Sequence, residues 1–219
     1  MSAIPDEQLG VEALRRRDHD EIQRQQPGQP VRAIQQVEST RGVPLRIHIP
    51  HGDANRDVVV YLHGGGFVSG GLETCETFAR YWAAALNQVV VTVGYRLAPE
   101  HPHPAAVDDC MDAVADVAVR FPRRRLIVAG DSAGGNLAAV VALRCRASDA
   151  PTVDAQVLLY PVLGADVDTP TYRAYDGYTL TRRSMAWYWS LYQPDPAARA
   201  QPDCSRSTRA TSRALRRPS

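Results

Sequence analysis

The chain has 219 residues, 44% of them hydrophobic, which suits one domain with a substantial buried core. A formal net charge of +1 gives no electrostatic reason to expect a nucleic-acid partner, and no apolar run approaches the length of a membrane span. The opening Met1-Ser2-Ala3-Ile4-Pro5-Asp6-Glu7 lacks a basic segment followed by an apolar one, so no secretory leader is expected.

Residues 6–26 are charged and weakly amphipathic, and are expected to form a helix that Pro27-Gly28 ends. Residues 33–38 and 45–49 read as a hairpin of edge strands around Arg41-Gly42. The run Asp57-Val58-Val59-Val60-Tyr61-Leu62 reads as a buried strand that leads into His63-Gly64-Gly65-Gly66-Phe67. Three glycines let the backbone fold back with its N–H groups pointing into a cleft, where they can hold an acyl oxyanion. His63 precedes them, in a position suited to organising the loop through hydrogen bonds. Strands near 88–93, 126–129 and 155–160 alternate with helices near 74–86, 106–119 and 133–146. This alternation implies a mostly parallel sheet with helices on both faces. Cys75, Cys110, Cys145 and Cys204 show no metal-type spacing and read as free thiols of a reducing cytoplasm, so neither metal nor cofactor is expected. Arg96, Glu100, Asp108 and Asp109 suit local ion pairs and helix caps, and His101 and His103 flank prolines in a loop. Arg123-Arg124-Arg125 reads as a solvated turn before a strand.

The segment with the most chemistry is Gly130-Asp131-Ser132-Ala133-Gly134, set between the apolar run 126–129 and the alanine-rich helical run 136–146. A serine on so tight a strand-to-helix turn is held in a strained backbone conformation, and Gly130 and Gly134 are there because side chains would collide with the neighbouring strand and helix. The turn lifts the Ser132 hydroxyl clear of the sheet. The helix that follows aims its N-terminus and the Ala133 amide at the same place, favouring developing negative charge. Asp131 adjoins the nucleophile from another position on the turn and reads as structural support.

Taken in order, His63-Gly64-Gly65-Gly66-Phe67, Tyr95-Arg96-Leu97-Ala98-Pro99-Glu100-His101-Pro102, Gly130-Asp131-Ser132-Ala133-Gly134-Gly135-Asn136 and Leu158-Leu159-Tyr160-Pro161 resemble the hormone-sensitive-lipase-like branch of the α/β-hydrolase carboxylesterases. The resemblance covers roughly residues 31–200. It implies an α/β-hydrolase fold, Ser132 as nucleophile, and the amides of Gly64, Gly65, Gly66 and Ala133 as the oxyanion hole. It also implies a core over 31–165, capped by residues 1–30 and by a partial segment over 166–200, with 169–193 read either as the second cap element or as ordinary packing. The substrate class it implies is a small-molecule acyl ester.

Such esterases take their triad aspartate and histidine from later segments. Here no histidine and no glutamate follows Ser132, so no triad acid or base is assigned and the sheet is expected to lack its last two strands. Residues 201–219 hold five Arg and four Ser with no structural period, and are expected to be a disordered basic tail. A change of reading frame near Ala200 is the hypothesis that this switch suggests, in a chain whose 25 basic residues are all arginine. The strand at 155–160 is then expected to be an open edge, with poor solubility or partial disorder after about residue 165. Two functions follow: a serine hydrolase of small acyl esters, impaired for want of its base, or a non-catalytic remnant that keeps a ligand-binding cleft.

Overall fold

Valine-rich strands with period-two alternation send their side chains into two separate cores, and the rest of the architecture is arranged around that division. The computed structural model describes residues 4–26, 28–52, 54, 57–178 and 180–205. Helices α1 (Asp6–Leu9) and α2 (Val11–Arg24) precede strands β1 (Ala33–Glu38), β2 (Pro44–Ile49) and β3 (Asp57–Leu62). Next come α3 (Glu76–Leu86), β4 (Val89–Val93), α4 (Ala105–Arg120), β5 (Arg125–Asp131), α5 (Ser132–Ala147) and β6 (Ala155–Leu159). The short α6 (Pro170–Ala174), α7 (Arg182–Tyr192) and α8 (Pro196–Arg199) follow. Among the described residues no helix is long and apolar enough to cross a membrane.

The sheet runs β1-β2-β4-β3-β5-β6, antiparallel in its first two pairings and parallel in the rest. Val58, Val60 and Leu62 of β3 pack with Val91 of β4, Val114 of α4 and Leu137 of α5 on one face. Val59 and Tyr61 pack with Val90 and with Ala79 and Ala83 of α3 on the other. Helices therefore cover both faces, and each fully buried valine contributes about 1.5–3 kcal/mol over its exposed state. One expectation needs correction: the hairpin is not a pair of edge strands. Only β1 lies at the edge, because β2 pairs with β4 through residues Leu45 to His48, and its Leu45 and Ile47 are drawn into the first core.

At the far side β6 is the last strand among the described residues, and Val157 remains 37% exposed. The expected disorder beyond residue 165 is not what the structure shows. Thr169 and Thr181 cap α6 and α7 by accepting from the Tyr172 and Ser184 amides, and α7 buries Met185, Tyr188, Trp189 and Tyr192.

Nor is the whole basic tail without structure. Residues 201–205 turn back onto the domain, where Arg144 pairs with both Asp108 and Asp203, His103 Nε2 donates to the Asp203 carbonyl at 3.0 Å, and Cys204 enters the first core. Ion pairing and a single buried thiol anchor this stretch, which carries no apolar face for sequence patterning to detect. Residues 206–219 lie outside the described residues.

Candidate active site

Strand β5 passes directly into α5 at Ser132, whose φ of 51° is left-handed, the strained geometry expected of a nucleophile turn. Glycine is obligatory on either side. A Cβ at Gly130 would lie 2.4 Å from Gly134 backbone, and one at Gly134 would lie 2.0 Å from the Leu62 carbonyl oxygen. The close approach of β3 to this turn is what aligns the glycine loop beside the serine. Behind it, the Val162 amide donates to the Ser132 carbonyl at 3.1 Å, and Asn136 Nδ2 donates to the Val162 carbonyl at 2.7 Å.

In the glycine loop Gly65 and Gly66 have φ of 108° and 63°, conformations open to glycine. Ser132, Ala133, Gly65 and Gly66 line one cavity of about 160 Å³, walled by Met185, Tyr188 and Trp189 of α7. Among the described residues the amides of Gly65, Gly66 and Ala133 meet no acceptor. Gly64 stands apart. Its amide donates to Asp131 Oδ1 at 2.9 Å, which removes it from the expected set of oxyanion donors.

Asp131 gathers a second donor at the same oxygen, the Tyr61 hydroxyl at 2.7 Å. Burial and the neighbouring Asp131 charge push the Tyr61 hydroxyl well above its ordinary pKa, so it remains a donor. The aspartate thus ties the nucleophile turn to the strand and loop that carry the candidate oxyanion donors. Nothing in the motif spacing announces this tie, since the partners lie 70 and 67 residues away along the chain.

His63 is 2% exposed and its ring stacks on Tyr95 with centroids 4.1 Å apart. Its Nδ1 lies 2.7 Å from the Gly64 carbonyl oxygen, and burial lowers its pKa, so it is a neutral ring that donates to the loop. Its position thus agrees with a loop-organising role. The other histidines are engaged elsewhere or exposed: His48 with Glu76, His103 with Asp203 and Gln193, and His19, His51 and His101 on the surface. Among the described residues no histidine hydrogen-bonds Ser132, and no cluster of His, Cys, Asp and Glu could hold a metal ion.

Arg96 pairs with the nearby Asp109 as expected, but Glu100 and Asp108 pair with the distant Arg15 and Arg144 rather than locally, and α4 has no side-chain cap. The residues that sequence reasoning missed are the walls. Tyr188 packs so closely on the glycine loop that a Cβ at Gly66 would lie 2.2 Å from its Cδ1, and Phe67 stacks on Tyr192 with centroids 3.8 Å apart. Their signal was the aromatic density of 187–192, which marks burial without saying against what. A larger cavity of about 820 Å³ opens from Ser132 toward Tyr160, Tyr172 and Tyr175.

A protein-family profile described as the alpha/beta hydrolase fold matches residues 59–217. Carboxylesterase NlhH of Mycobacterium tuberculosis is 40% identical over 157 residues, which cover 67% of this chain and 49% of the relative. The gibberellin receptor of Oryza sativa subsp. japonica is 35% identical over 158 residues, covering 68% of this chain and 44% of the receptor. Among solved structures, an esterase from Pyrobaculum calidifontis superposes with a TM-score of 0.84 at 34% identity, covering 94% of this chain and 71% of the esterase. The chain spans about half the length of the sequence relatives it matches.

Proposed function

The chain belongs to the α/β-hydrolase-fold family, with carboxylesterases among its relatives, and from that premise we propose that it carries an acyl-transfer site for small esters centred on Ser132. One observation carries the reading: a serine on a strained strand-to-helix turn shares a 160 Å³ cavity with the amides of Gly65, Gly66 and Ala133. An ester carbonyl placed there is attacked by Ser132 Oγ, and its oxygen, as it takes up negative charge, accepts from the Gly65 and Gly66 amides of the loop and from the Ala133 amide at the N-terminus of α5. The alcohol then leaves, and water releases the acyl group from Ser132. In this reading α1 and α2, packed with α7 through Leu14 and Tyr188, form the cap over the cleft.

The proton on Ser132 decides the rate. A serine hydroxyl without an adjacent base is a poor nucleophile at neutral pH, and removing the triad histidine costs about 10⁶ in kcat in the best-studied case. Since no described histidine hydrogen-bonds Ser132, the residues described here supply oxyanion stabilisation and binding, worth roughly 10³ to 10⁴ over water. The same observation favours a second reading, a ligand-binding cleft without turnover, as one of the relatives is a receptor. Hydrolysis of p-nitrophenyl butyrate by the purified chain and by Ser132→Ala separates the two. Slow turnover that the substitution abolishes supports the esterase reading, and equal rates reject it.

A further inference from the structure

On the other side of Gly65 lies a second cavity of about 360 Å³, which Ser132 does not line. Its charged groups are all acidic. Asp18 and Glu21, three residues apart and hence on one face of α2, line it together with Asp131, and among the described residues no arginine does. Arg17 has its Nε 3.9 Å from Asp18 while its Nη1 pairs with Asp6 at 2.8 Å. Tyr61, Phe78 and Tyr160 supply an aromatic part of the wall.

A second observation points the same way. His63 also lines this cavity, and with Nδ1 donating to the Gly64 carbonyl its Nε2 is a buried acceptor that has no partner among the described residues. Carboxylates, an unmatched imidazole nitrogen and π faces all call for one kind of ligand, a hydrogen-bond donor that carries positive charge. The described carboxylates do not cluster as a metal site requires, which leaves an organic cation. The volume is that of a small-molecule site.

We propose that this cavity binds the ammonium group of a small organic amine, its charge met by Asp18 and Glu21 of α2 and its body lying against the aromatic wall. Burial holds the Asp18 carboxyl above its ordinary pKa even though Ser69 and Arg17 pull it down, as for a carboxylate short of a neutralising partner. The site does not depend on Ser132 chemistry.

Calorimetric titration of the chain at pH 7 and fixed ionic strength with n-butylammonium chloride, n-butanol and sodium butyrate tests the assignment. Saturable binding of n-butylammonium, about tenfold or more tighter than n-butanol and with butyrate weakest, is the expected ranking. In the Asp18→Asn/Glu21→Gln variant the amine should fall to the level of the alcohol, and in Ser132→Ala it should bind as before. Equal affinity for amine and alcohol, or amine binding that survives the double substitution, would overturn the proposal. Should the double variant not fold, the ranking of the three ligands on the unaltered chain decides alone.

Discussion

Asp131 carries two obligations that its place beside Ser132 does not require. One carboxylate oxygen accepts from both the Gly64 amide and the Tyr61 hydroxyl, so the β3 strand, the glycine loop and the serine turn share a single anchor. Replacing Asp131 by alanine leaves two largely buried donors without an acceptor, at a cost of about 1–3 kcal/mol for each. Asparagine keeps an oxygen able to accept from both. Urea unfolding should therefore place Asp131→Ala well below Asp131→Asn in stability, and equal losses would show that the shared acceptor is not what holds the loop. The serine turn itself was legible in the sequence because its requirements are local: five residues fix the strain, the two glycines and the helix that follows. The anchor was not, because hydrogen bonds to Tyr61 and Gly64 leave no mark on the spacing around Asp131.

Elements with one apolar face were readable, and those held by partners of mixed character were not. Strands β3 and β4 and helices α3 to α5 follow from period and composition, whereas α7 is fixed by Phe67 stacking on Tyr192 and by Tyr188 against Gly66, contacts that only the folded chain brings together. Residues 201–205 are a sharper case, since their anchoring rests on the Arg144–Asp203 pair and the burial of Cys204. The open strand β6 was anticipated correctly. Among the described residues no strand pairs with its outer side, which lies beside Val157 and the 76% exposed Tyr160, with no charge along Ala155–Leu159 to discourage another strand. Sedimentation velocity should accordingly show concentration-dependent association of the chain, reduced by Val157→Lys. A chain that sediments as a monomer at every concentration would show that this edge is protected by some other means.

At the scale of the whole molecule, the two sheet faces are joined differently to their helices, and this sets how the fold responds to acid. On the α3 side, Glu76 receives hydrogen bonds from Arg46 and His48 of β2 and from Arg80 of its own helix, a cluster that pins the helix to the sheet. Burial alone would raise the Glu76 pKa, but the hydrogen bonds from His48, Arg80 and Arg46 overcome it and hold the carboxyl down to about 2. Because that value lies below the ordinary 4.5, the unfolded chain binds the proton more tightly than the folded one. The stability contributed by Glu76 is then fully present above about pH 4.5 and is lost as the pH falls toward 2. Urea midpoints measured at pH 6, 4 and 3 should decline for the unaltered chain. They should decline less steeply for Glu76→Gln, which starts lower but has no carboxyl to protonate at this position. Parallel declines in the two proteins would place the acid sensitivity in other carboxylates and remove Glu76 as the link between α3 and the sheet.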